Sequence, residues 1–233
     1  MSWPLASSPG GFNWWVLAGF LVILVIMVIL ARAEQRWNQK RTRALPRVAE
    51  RLGLTFQPEP DAELAFQWCL IDDALARGEN RHAENIMRGT FHGFPVVAFD
   101  HHYETRDADN DLHHFYDSVL IVTLPKGIKA VEVLPESLAT TLSQPLGMGD
   151  IDFESAAFSK AFCVRAQNKR VAYDVCNPQV MEYLLAHPQI RFRIKTDALF
   201  TISKLLSAEE IETTLRHLLE IRSRLPEYLF TKV

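Results

Sequence analysis

Only three cysteines occur in 233 residues, and Cys69, Cys163 and Cys176 include no C-x-x-C pair. That excludes a disulfide framework and a thiolate zinc site, which need more thiols at closer spacing. Free thiols suit a reducing compartment. Also missing are a Walker loop, G-x-G-x-x-G, G-x-S-x-G and H-E-x-x-H, so no common nucleotide, hydrolase or zinc-protease signature is present. There is no internal repeat and no low-complexity tract. The most informative absence is charge: no Asp, Glu, Lys or Arg precedes Arg32.

In that uncharged region stands Trp14 to Ala31, WWVLAGFLVILVIMVILA, eighteen residues long. At about 1.5 Å per residue a helix of this length covers roughly 27 Å, close to the hydrocarbon thickness of a bilayer. Lipid offers no partner to backbone amides, so a lone span must be helical despite its β-branched Val and Ile. Trp14 and Trp15 sit where an interfacial aromatic belt anchors one end. Seven basic and two acidic residues follow between Arg32 and Arg51. By the positive-inside rule the C-terminal side stays in the cytoplasm, and the short uncharged tail 1–13 is outside. The expected organisation is therefore tail 1–13, transmembrane helix 14–31, basic juxtamembrane segment 32–51 and soluble domain 52–233. A cleaved signal peptide is an alternative, with Ala31-Arg32-Ala33 as its processing site, but its leading region should be basic and its apolar core shorter. A buried core helix is a second alternative, unusual at this apolar length.

Net charge is −3 for the whole chain, zero for 1–31 and +5 for 32–51, which leaves −8 on 52–233. An acidic domain repels phosphates, so nucleic acid is not an expected partner. The expected contacts are the bilayer through 14–31, the anionic inner leaflet through Arg32, Arg36, Lys40, Arg41, Arg43 and Arg47, and an unidentified protein partner.

Ala44, Leu45, Val48, Ala49 and Leu52 recur at helical spacing and Gly53 ends the run, with a helix break expected near Ala44 to Pro46. Leu54 to Phe56 reads as a short strand, and Asp61 to Leu75 as weakly patterned helix. Ile86 to Phe91, Val96 to Thr105 and Leu112 to Leu124 are rich in β-branched and aromatic residues. Turn residues at His92-Gly93 and Arg106 to Asp111 separate them, which predicts three antiparallel strands. Lys126-Gly127 predicts another turn, Ala130 to Leu134 a fourth strand, and Pro135-Glu136-Ser137 a short helix. Gly147 to Gly149 reads as a loop, Ala161 to Ala166 as a strand, and Gln167 to Lys169 as a turn. Asn177 and Pro178 open a helix. Ile190 to Lys195 and Leu199 to Ile202 read as a hairpin around Thr196-Asp197. Ser207 and Glu210 form a capping box for a last helix with Ile211, Leu215, Leu218, Leu219 and Leu225 on one face. This order gives an α+β domain with a mainly antiparallel sheet and a C-terminal helix. A pleckstrin-homology-like arrangement, a meander closed by a helix, is compatible with it.

Ile151-Asp152-Phe153-Glu154, Phe158-Ser159-x-x-Phe162-x-Val164 and Met181-Glu182-x-Leu184-Leu185, with Pro178, resemble a group of bacterial membrane-anchored proteins of unknown function. Gly89-x-x-x-Gly93 and Val97-x-Phe99-Asp100-x-x-Tyr103 fit the same group. The likeness covers roughly 45–205. It implies a bacterial envelope protein, placed in the inner (plasma) membrane, and supplies no catalytic residue.

The densest polar stretch is Phe99 to Asp117, FDHHYETRDADNDLHHFYD, with four of the eight histidines. Asp107-x-Asp109-x-Asp111 resembles the start of a calcium loop, but Leu112 and Ser118 stand where Gly and Glu are needed. If Thr105 faces Leu112 across the hairpin, His102, Glu104 and His113 share a face and could hold zinc or iron, supporting a metal-dependent hydrolase. A one-residue slip breaks that set, and a solvated hairpin is the plainer reading. Asp152 and Glu154 would share a strand face as paired carboxylates, or form an exposed acidic turn. Ser159-Lys160 resembles a serine–lysine dyad, but neighbours in a strand point to opposite faces. Arg191, Arg193 and Lys195 alternate with Phe192 and Ile194, giving a basic face for lipid headgroups, an acidic partner or water. With no coherent catalytic set and no cofactor motif, the leading expectation is a non-catalytic, membrane-tethered cytoplasmic domain that binds a protein partner or the inner leaflet.

Overall fold

The structure is a computed structural model and describes residues 14–139 and 148–231. The expected outer tail 1–13 and Gly147 of the expected loop lie outside the described residues. The chain divides into two compact units, Met1–Ala44 and Leu45–Val233.

The first unit carries helix α1, Trp14–Leu52, whose last two turns belong to the second unit. Every large apolar side chain from Phe20 to Leu30 is 42–67% exposed. A helix apolar all round and open all round is not the core of a soluble domain, which removes the buried-helix alternative. It is long and apolar enough to cross a membrane. Arg32, Arg36, Lys40, Arg43 and Arg47 are exposed, whereas Arg41, expected among the leaflet contacts, is buried. The expected break near Pro46 is absent, because α1 runs through it. Proline removes only its own N–H bond to the carbonyl four residues back, and Thr42 and Pro46 are both exposed, so water can satisfy that carbonyl.

In the second unit the end of α1 buries Leu45, Val48, Ala49 and Leu52. Gly53, at φ +70°, turns the chain out, and the Leu54 amide donates to the Ala49 carbonyl at 2.8 Å. There follow β1 (Thr55–Gln57), α2 (Ala62–Cys69), β2 (Glu79–Phe91), β3 (Phe94–Arg106), β4 (Leu112–Pro135), α3 (Glu136–Ala139), β5 (Gly149–Asp150), α4 (Ala156–Ala161) and β6 (Phe162–Ala166). The chain continues through α5 (Lys169–Val175), α6 (Pro178–Ala186), β7 (Phe192–Lys204) and α7 (Ala208–Arg224), ending in a 3-10 turn at Glu227–Leu229. The fold is α+β, with the strands ordered β1-β2-β3-β4-β6-β5 and β7 also paired to β4. Every pairing among the described residues is antiparallel.

Two expected turns are bends inside longer strands. β4 is one strand of 24 residues through Lys126-Gly127, and β7 is one strand through Thr196-Asp197. The two irregularities face each other: pairing of β4 with β7 skips from Thr123 to Ile128, and Ile128 lies opposite Thr196. Pro125, which has no N–H to give, falls in that gap. Thr196 takes φ +55°, and Gly127 lets the strands close, since a Cβ there would lie 3.2 Å from the Thr196 carbonyl carbon. Turn residues and bulge residues are the same residues, so local sequence does not separate them. The expected turn at Gln167 to Lys169 leads directly into helix α5, which was not expected and is capped by Asn168, whose side chain accepts from the Val171 amide.

One face of the sheet packs Ile86, Phe99, Val119, Ile121, Ala198 and Phe200 beneath Leu64 and Ala65 of α2 and the following Leu75. Helix α7 packs on β4 and β7 with Ile211, Leu215, Leu218 and Leu219 buried, and the capping box at Ser207 and Glu210 is formed in both directions. Phe200→Ala should lower unfolding free energy by about 3–5 kcal/mol by emptying a core site. Ser207→Ala should cost about 1 kcal/mol through the lost cap. Denaturant titrations of the detergent-solubilised protein should rank them in that order.

Candidate functional site

Residues alternate across β3, so Phe99 and His101 point to the α2 side while Asp100, His102 and Glu104 point to the other. The hairpin register then selects the partners: Arg106 pairs with Leu112, Thr105 with His113 and Glu104 with His114. This is one residue away from the register assumed from sequence. His113 therefore leaves the expected set and its Nε2 sits 2.8 Å from an Asp107 carboxylate oxygen. Asp107 also accepts from the amides of Asp109 and Asp111 at 3.0 and 2.9 Å, so the calcium-like run is a self-capped turn. The His113 ring, then those amides, hold the Asp107 carboxyl below its usual range.

His114 takes the vacated place. His102, Glu104 and His114 bring three ligand atoms within 4.8 Å of one another. His102 Nε2 is 3.1 Å from His114 Nδ1, which is 3.4 Å from Glu104 Oε1. Asn80 donates to the same Glu104 oxygen at 2.9 Å. The His102 ring is buried between His82, centroid 4.5 Å away, and Tyr116, at 4.7 Å. Burial, and then the neighbouring His82, push the proton affinity of His102 below the usual histidine range. Gly78, at φ +67°, lies so close to this strand that a Cβ would collide with the Glu104 carbonyl oxygen.

On the α2 side His101 is fully buried, and its ring nitrogens have no hydrogen-bond partner among the described residues. Burial first, then Arg81, His102 and His82, lower its pKa from 6.5 to about 4. The ring is therefore neutral at ordinary pH.

A second polar group, missed in the sequence, joins distant segments on the α2 side. Glu132 of β4 accepts from Arg193 Nε at 2.6 Å and from Arg165 at 3.4 Å, and Arg193 also donates to Asp72 at 2.9 Å. Burial opposes the charge on Arg193, but Asp72 and Glu132 outweigh it and hold the guanidinium above its ordinary range. The expected basic strand face is thus largely internal, with Phe192 and Ile194 buried between its arginines. Beside it a cavity of about 160 Å³ is lined by Arg77, Asp117, Glu132, Arg191, Arg193 and Thr201, among others. Burial raises the Asp117 pKa against the pull of Arg191 and Arg77.

The remaining candidates do not assemble into sites. Asp152 and Glu154 are exposed in irregular chain before α4, not paired on a strand. The Ser159 hydroxyl accepts from the Phe153 amide at 3.3 Å and donates to its carbonyl at 3.1 Å, while Lys160 is exposed. That hydroxyl holds a loop and is no nucleophile. Cys176 is buried and its thiol pKa is pushed far up by burial, which makes it inert.

Glu132→Gln should cost about 1–3 kcal/mol, since it removes the carboxylate the two arginines share while Arg193 keeps Asp72 and Arg165 keeps Asp150. Equilibrium unfolding at neutral pH measures this. His101 sets a pH dependence of known sign. From pH 6.5 down to about 4 the unfolded chain binds a proton that the folded ring refuses, so stability falls as pH is lowered through that window. In His101→Phe the fall between those pH values should be smaller than in the unaltered protein, by denaturant titration at each pH.

No protein-family model matches the chain, and no curated protein sequence matches it. In structure it is similar to the mycobacterial trehalose monomycolate transport factor A, TtfA, whose crystal structure superposes with a TM-score of 0.60. The match covers 82% of this chain and 96% of that one at 13% sequence identity, so it is a likeness of fold.

Proposed function

We propose that this is a single-pass protein of the bacterial plasma membrane, with its N-terminus outside and its α+β domain in the cytoplasm, where the domain docks on a protein partner. The carrying observation is the charge step along the chain: nothing before Arg32, +5 over 32–51 and −8 beyond. The collar complements anionic headgroups, whereas the domain is repelled by them, so the domain itself is assigned to a protein rather than to the leaflet. The fold likeness to a transport factor supports an accessory role beside a membrane transport system. The resemblance to bacterial membrane-anchored proteins points the same way. The competing reading, a metal-dependent hydrolase using His102, Glu104 and His113, loses support because the observed register turns His113 to Asp107.

A fluorescent reporter fused after Val233 should be bright in living cells, and a periplasm-dependent phosphatase at the same position inactive. Photoreactive residues at Phe66, Leu70 and Tyr228, all apolar positions 58–73% exposed, should give a discrete adduct with a second polypeptide in native membranes. Adducts with lipid alone would instead assign the domain to the leaflet.

A further inference from the structure

We propose that His102, Glu104 and His114 are a binding site for one divalent transition metal ion, zinc by the chemistry of the donors, with its remaining position open to solvent. Two imidazole nitrogens and one carboxylate oxygen are a donor set for zinc, with bonds of about 2.0–2.2 Å. Donor atoms at that radius around a tetrahedral ion stand about 3.3–3.5 Å from one another. The separations here are 3.1 Å between the imidazole nitrogens and 3.4 Å from His114 to Glu104. Two of the three separations are thus close to those the ion requires, and the third, His102 to Glu104, is within 4.8 Å.

The surroundings hold them there. All three sit on paired strands, and Glu104 lies directly opposite His114, so their separation is fixed by the backbone register. Asn80 donates to the Glu104 carboxylate, the kind of outer bond that orients a ligating group. His82 and Tyr116 clamp the His102 ring from two sides. The His114 side chain is 51% exposed, so an ion reaches the set from solvent without moving the sheet. His114 ligates through Nδ1, which leaves its Nε2 facing outward. The fourth position takes water, and a donor side chain from a docked protein could replace that water.

The test is equilibrium dialysis of the full-length protein in detergent against zinc, with metal measured by elemental analysis, alongside thermal unfolding with and without the ion. The unaltered protein should retain about one zinc per chain, and zinc should raise its unfolding temperature. His114→Ala, at the accessible side of the set, and Glu104→Gln, whose side chain is 13% exposed, should each weaken retention at least about tenfold and abolish the thermal shift. His113→Ala, one residue along the same strand, should bind as the unaltered protein does. Retention by His114→Ala equal to that of the unaltered protein, equal loss in His113→Ala, or no retention by the unaltered protein would each overturn the site.

Discussion

The pairing of β4 along both of its edges is the constraint from which the domain follows. A strand of 24 residues is several times the usual length, and a twisting ribbon of that span cannot stay in one flat sheet. It bends where Pro125 and Gly127 interrupt regular pairing, and β7 bends with it at Thr196. Before the bend β4 holds β3 on one edge and the end of β7 on the other. Beyond the bend it holds β6 and the start of β7. Helix α7 can cover the sheet only because β7 has carried the chain back along the full length of β4.

That bend also sorts the polar groups. Glu132 and Arg193, beyond it, turn towards Asp72 and form an internal ion network where an alternating strand would present a solvated face. Before it, strict alternation on β3 and β4 puts His101 in the core and His102, Glu104 and His114 on the opposite side. Asp100 joins the two regions. Its carboxylate accepts from Ser118 Oγ and Asn85, and Ser118 Oγ in turn accepts the Leu206 amide at the entrance to α7.

Elements whose ends are marked by side-chain chemistry were legible in the sequence. The capping box at Ser207, the Asn177-Pro178 start of α6 and the Gly53 stop are local devices, and local reasoning finds them. The apolar helix over Trp14 to Ala31 was legible too, since its length and composition are read directly from the chain. What was not legible depended on a partner strand. Lys126-Gly127 and Thr196-Asp197 look like turns until the opposing bend is known. The choice between His113 and His114 depended on a single step of register, set by how Asp107 folds the loop around itself. The Glu132 network joins residues up to 121 positions apart, and no spacing rule reaches that far.

The position of β7 in the chain has a consequence for biosynthesis. Ribosomes deliver the apolar helix first and β7 with α7 last, and β4 is without one whole neighbour until residues beyond 192 have emerged. During that interval Leu120 and Val122, on the face of β4 opposite α2, are still uncovered. Until then the edge of β4 that β7 later takes is open to pairing with a neighbouring nascent chain.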